Sequence, residues 1–197
     1  MAGILYLCAT PIGNLEDMTP RAQRMLAEAD IIAAEDTRHT LQLLNRFNIK
    51  GRLVRYDEHS KERQGAYLLD ELLSGKNIAL VSDAGFPGIA DPGAELVALA
   101  HRHNYQVVPL VGPSSILLAL IASGCNGQNF SFNGYLPVNR SERVKSLKTY
   151  EKQSAAENRT QIFIETPYRN LQLFEDIVSS LSPVTRLTVA CDITTEN

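Results

Sequence analysis

Tryptophan is absent from this 197-residue sequence, and cysteine is scarce: Cys8, Cys125 and Cys191 lie far apart in apolar stretches, with no CxxC pair. An odd, unpaired set excludes a disulfide scaffold and points to three buried thiols in a reducing compartment. The sequons at Asn139 and Asn158 are then incidental. Long hydrophobic runs are missing too, since none approaches the roughly 20 residues a membrane span needs. Ile4–Ala9 is too short for a signal peptide and has no basic region before it. A cytoplasmic protein with no membrane partner is expected. Charge of one sign is not in excess: 19 Lys+Arg face 22 Asp+Glu, a net of −3. That argues against a general nucleic-acid coat and leaves room for a local basic patch.

Several catalytic signatures are also lacking. No G-x-G-x-x-G follows the first apolar run, which removes the usual dinucleotide fingerprint and the glycine-rich loop of ordinary methyltransferases. Gly75-Lys76-Asn77 lacks the rest of a P-loop, and Gly112-Pro113-Ser114-Ser115-Ile116 lacks the closing Gly of a nucleophile elbow. With four His, no H-E-x-x-H and no paired Cys, no metal site is expected.

What is present is a rhythm. Ile4–Ala9, Ile31–Ala34, Leu53–Tyr56, Ile78–Val81 and Gln106–Leu110 are short, nearly continuous apolar runs, as strands buried on both faces should be. Amphipathic segments at Pro20–Ala29, Thr40–Phe47, Lys61–Ser74 and Gly93–His103 alternate with them, the first opened by Thr19 as N-cap and Pro20. Five such repeats predict a parallel, doubly wound α/β sheet over residues 1–112. Residues 113–197 form a second α/β domain: helices at Ser114–Ser123 and Leu171–Ser180, and strands at Phe130–Asn133, Gln161–Ile164 and Leu187–Cys191. A mixed sheet is expected there, truncated after its last strand. Between them, Arg140–Lys152 carries five bases (Arg140, Arg143, Lys145, Lys148, Lys152) with Val144, Leu147 and Tyr150 at near-helical spacing. This is a helix with a basic outer face, either simply solvated or holding an anionic substrate. It lacks interleaved aromatics for base stacking.

Four loops follow predicted strands, where parallel sheets build their sites. Thr10-Pro11-Ile12-Gly13-Asn14-Leu15 is a tight turn that lets a ligand approach the backbone. Glu35-Asp36-Thr37-Arg38-His39 packs four ionisable groups into five residues. Either Asp36 or Thr37 caps the Thr40 helix, with Arg38 paired to an acid, or the cluster orients a substrate and handles a proton. Ser82–Gly93 holds three Gly and two Pro; Asp83 could accept from a ribose hydroxyl or an amine, and Asp91 could cap the next helix. Val111–Ser115 opens a helix whose free N–H groups suit a carboxylate or phosphate. With apolar walls at Ile89, Ile116 and Leu117, the set matches S-adenosylmethionine better than a nucleoside triphosphate.

On these residues the chain resembles the tetrapyrrole methylase superfamily, the class III S-adenosylmethionine-dependent methyltransferases. The Thr10–Leu15, Ala33–Thr40 and Ser82–Gly85 motifs, with Asp91-Pro92-Gly93, are similar to the branch that 2′-O-methylates a cytidine of small-subunit ribosomal RNA. Gly112–Ser115, Gly134-Tyr135-Leu136-Pro137 and Glu165-Thr166-Pro167-Tyr168-Arg169 are marks of the whole superfamily. Two departures stand out: Ser60 follows His59 where the branch carries Asn, and Cys191-Asp192-Ile193-Thr194-Thr195-Glu196 replaces Arg-Glu-Leu-Thr-Lys. The resemblance implies a two-domain tetrapyrrole-methylase-like fold, a homodimer, ribosomal RNA as partner and S-adenosylmethionine as cofactor. It implies cofactor contacts at Pro11, Gly13, Asp83, Gly85, Ile89, Ser114 and Ser115, with Ile164 and Ala190 from the second domain. Glu35, Asp36, Arg38 and His39, then His59, are the catalytic candidates. A tetrapyrrole-like or other small-molecule acceptor is the alternative.

Overall fold

Short apolar strands organise the first part of the chain, described here from a computed structural model covering residues 2–195. Five parallel strands, β1 (Ile4–Cys8), β2 (Ile31–Ala34), β3 (Leu53–Arg55), β4 (Ile78–Val81) and β5 (Gln106–Pro109), lie in the order β3-β2-β4-β1-β5. Successive residues point to opposite faces. Ile31, Ala33, Ile78 and Leu80 enter one core with Leu68 and Leu72 of α3 (Lys61–Leu73) and Leu96 and Ala100 of α4 (Ala94–Arg102). Ile32, Ala34, Ala79 and Val81 enter the other with Ala22 and Leu26 of α1 (Pro20–Glu28) and Leu44 of α2 (Thr37–Arg46). Helices therefore cover both faces, and all of β2 and β4 is buried, which is why these runs carry no polar residue.

The expected cap at Thr19 forms: its hydroxyl accepts from the Ala22 amide at 3.2 Å, with Pro20 at the first helical position. The second helix begins three residues earlier than the apolar periodicity suggests. Asp36 caps it, accepting from the Arg38 and His39 amides, and a cap fixes a helix start that periodicity alone leaves open. Asp91 is not the cap of α4; Gly93 holds that position, at φ 146°.

The chain divides into two compact units. One runs to Ser115 and takes in Thr194 and Thr195; the other is Ile116–Ile193. The second contains most of α5 (Ser115–Ser123), then β6 (Phe130–Tyr135), α6 (Arg140–Glu157), β7 (Thr160–Ile164) and α7 (Asn170–Ser180). β6 and β7 are parallel, so the pair itself is not mixed. The strand expected at Leu187–Cys191 does not form, and Val189 is 70% exposed. An apolar run becomes a strand only against an edge that pairs its backbone groups, and none of the described residues offers one there. Cys191 is consequently exposed and Cys125 half-buried, unlike the expected buried thiols. Cys8 is buried, and burial pushes its thiol up to about 12. Glu196 and Asn197, the end of the expected second domain, lie outside the described residues.

Arg143 also departs from the expected basic outer face. It turns inward, 3% exposed, to pair with Asp176 of α7 (Nη2 to Oδ2, 2.7 Å) and to donate to the Pro137 and Val138 carbonyls. Arg140 meets the other oxygen of Asp176 at 2.8 Å. No helix among the described residues is long and apolar enough to cross a membrane.

Candidate active site

The loops after β1, β2, β4 and β5 belong to the first unit and meet at the carboxyl edge of its sheet. Thr10 and Gly85 exchange backbone hydrogen bonds (2.9 and 3.0 Å), and the Thr10 hydroxyl donates to the Ser82 carbonyl at 3.1 Å. This ties the Pro11–Gly13 turn to the Asp83–Gly85 turn, where Gly85 has φ 81° and Gly13 φ 139°. The β5 loop lies against both: a Cβ on Gly112 would sit 2.5 Å from the Cβ of Ala9. Gly112→Ala should therefore destabilise the first unit by about 1–3 kcal/mol through overpacking; an unchanged melting temperature would contradict this packing.

The β2 loop joins through its backbone, the Asp36 amide donating to Asp83 Oδ1 at 3.3 Å. The consequence is a concentration of carboxylates. Burial first, then Asp91, Asp83, Asp57 and Asp36, raises the Glu35 pKa above its ordinary value. Asp91 is raised by burial and by Asp83. Asp36 is lowered, mainly by the Arg38 guanidinium, which stands 3.3 Å from it on the exposed side. Adjacent in sequence, Glu35 and Asp36 are thus pushed in opposite directions. Separated titrations of this kind are how a site acquires distinct acid and base roles.

His39 is exposed on the first turn of α2, and His59 is exposed in the turn after β3. Ile89 is 46% exposed on the β4 loop; Ser114 and Ser115 lie at the start of α5. Ile164 ends β7 in the second unit, and Ala190 lies there in the exposed irregular segment. Asp57 escaped the sequence reading. It is buried at the carboxyl end of β3, accepts from the Ser60 amide (2.8 Å) and hydroxyl (2.6 Å), and pairs with Arg55. Ser60 thereby closes the turn that carries His59. The available signal was position: Asp57 follows its strand as Glu35 and Asp83 follow theirs. Among the described residues no cluster of His, Cys, Asp or Glu is arranged to hold a metal.

A sequence model described as Tetrapyrrole (Corrin/Porphyrin) Methylases matches residues 4–197. The chain belongs to that family. A relative from Halalkalibacterium halodurans named ribosomal RNA small subunit methyltransferase I is 49% identical over 176 residues, 89% of this chain and 60% of its own length. A relative of the same name from Synechocystis sp. is 46% identical over 192 residues, 98% of this chain and 67% of its own. The chain thus spans about three fifths to two thirds of these relatives. Its fold is similar to that of a solved uroporphyrin-III C-methyltransferase from Thermus thermophilus, with a TM-score of 0.53 and 25% identity, covering 71% of this chain and 65% of that one.

Proposed function

We propose that the protein is an S-adenosylmethionine-dependent methyltransferase that acts on the 2′-hydroxyl of a cytidine in small-subunit ribosomal RNA. One observation carries this reading: the loops that meet at the sheet edge belong to a chain nearly half identical to relatives named for that RNA. The side chains suit the cofactor. The four loops contain no lysine, and Asp83 and Asp91 would repel a triphosphate while favouring a sulfonium cation. Asp83, half-buried and accepting from the Asp36 amide at 3.3 Å, is the acceptor for a ribose hydroxyl.

When bound, the cofactor supplies an electrophilic methyl group. The chain holds the acceptor in line and takes its proton. Glu35 is the base: burial and the surrounding carboxylates raise its pKa, which makes its ionised form a stronger proton acceptor than an ordinary carboxylate. Asp36 is already committed to the α2 amides and Arg38, so it positions the loop. His39 and His59 are exposed and remain available to the acceptor, whereas Arg38, also exposed, is paired with Asp36.

Asp83→Ala should weaken cofactor binding by about 1.5–3 kcal/mol, as expected for a charge-assisted hydrogen bond. Titration calorimetry with wild-type affinity would remove Asp83 from the site. Acceptor identity is tested with labelled cofactor. Small ribosomal subunits from a strain lacking the enzyme should take up label, and a uroporphyrin-type tetrapyrrole should not. Labelling of the tetrapyrrole alone would select the small-molecule reading, which the likeness to a uroporphyrin-III methyltransferase favours.

A further inference from the structure

The second unit, Ile116–Ile193, carries eight Lys and Arg against seven Asp and Glu, and its ion pairs separate these charges. Arg140 and Arg143 are spent on Asp176, Arg159 on Glu157 and Arg169 on Glu165. A depression of about 370 Å³ lined by Val138, Arg140, Arg143, Gln172, Glu175 and Asp176 therefore offers no uncommitted guanidinium. Lys145, Lys148 and Lys152 differ. All three are exposed on α6, and none is within ion-pair distance of a carboxylate among the described residues.

Their spacing of three and four places them on one stripe, roughly 60° wide at 100° per residue. That stripe lies opposite the inward side marked by Arg143, Leu147 and Tyr150, of which Leu147 is buried in the core and Tyr150 packs against it. The acids beside it are engaged by other partners, although Glu151 also feels the charge of Lys148. Glu151 accepts from the Ser182 amide at 2.8 Å and from the Thr185 hydroxyl, and Glu142 sits in the first turn, where it complements the helix dipole. Lys145 to Lys152 covers about 10 Å of helix, over which one strand of a duplex carries about three phosphates.

We propose that the Lys145–Lys148–Lys152 face of α6 binds the phosphate backbone of the RNA acceptor. The inference rests on the RNA reading above. With Tyr150 turned inward no aromatic ring accompanies the lysines, so the contact is electrostatic and independent of sequence. Binding of a labelled RNA stem-loop to the full chain, followed by fluorescence anisotropy across a salt series, tests it. Replacing all three lysines by Ala should lower the slope of log K against log salt by about two, at 0.7–0.9 per phosphate contact. The triple Glu variant should bind at least tenfold more weakly at ~0.1 M salt, with melting temperature and cofactor affinity unchanged. A wild-type slope in the Ala variant would overturn the assignment and leave the RNA reading intact. Failure of the wild-type protein to bind the RNA would overturn both. Equal displacement by polyglutamate would also overturn it, in favour of an acidic protein partner.

Discussion

Asp176→Ala is expected to cost the second unit about 3–5 kcal/mol, because it leaves the buried guanidinium of Arg143 without a counter-charge. Asp176 and Arg143 are each only 3% exposed at the side chain, so water cannot take over the lost contacts. Hydrogen exchange at α6 and α7 measures the loss directly, and the absence of tryptophan makes circular dichroism the companion probe. Arg143→Met combined with Asp176→Leu should recover most of the stability, since well-packed apolar residues often replace a buried pair at little cost. A single-variant loss below about 1 kcal/mol would mean that the pair is hydrated. The pH dependence has a defined sign. Arg140, then Arg143, holds the Asp176 carboxyl below its ordinary range. Its contribution is therefore present above the unfolded value near 4 and is lost as pH falls through the lower folded value.

Glu35→Gln should reduce kcat by about 10²–10⁴, the usual range for removing a general base, with cofactor affinity within about twofold of wild type. The wild-type kcat should rise with pH through a value above that of an ordinary glutamate, and the variant should lack that limb. Stability should move the other way. With its folded pKa raised, Glu35 contributes stability fully below the unfolded value, and this is lost as pH rises through the folded one. Above the folded value the ionised group opposes folding, so there Glu35→Gln should melt higher than wild type while turning over more slowly. Asp36→Asn is the control. Asn caps helices about as well as Asp, so α2 should remain intact and any loss of turnover reports the charge beside Arg38. If Glu35→Gln retained full single-turnover rates, the proton would have to go elsewhere, with His59 the next candidate.

These effects fall where sequence and tertiary structure divide the explanation. The parallel sheet was legible because β2 and β4 are covered on both faces and so tolerate no polar residue over Ile31–Ala34 or Ile78–Val81. The site loops were legible because a parallel sheet places the turns after its strands at one edge, so Glu35, Asp83 and the Gly112 turn were bound to be neighbours. Local chemistry also announced the Thr19 cap, for which three consecutive residues suffice. The rest depended on partners distant in sequence. Arg143 and Lys145 look alike in a charge run, but Asp176, 33 residues further on, draws one inward and leaves the other outside. Leu187–Cys191 has the apolar content of a strand, yet no edge among the described residues pairs it. Glu35 and Asp36 are adjacent carboxylates with the same prospects on paper. Only the fold sets one, half-buried, among Asp57, Asp83 and Asp91 while it gives the other to helix amides and an arginine. A side chain's type and spacing are local properties, whereas its solvation and field are set by whatever the chain brings back beside it.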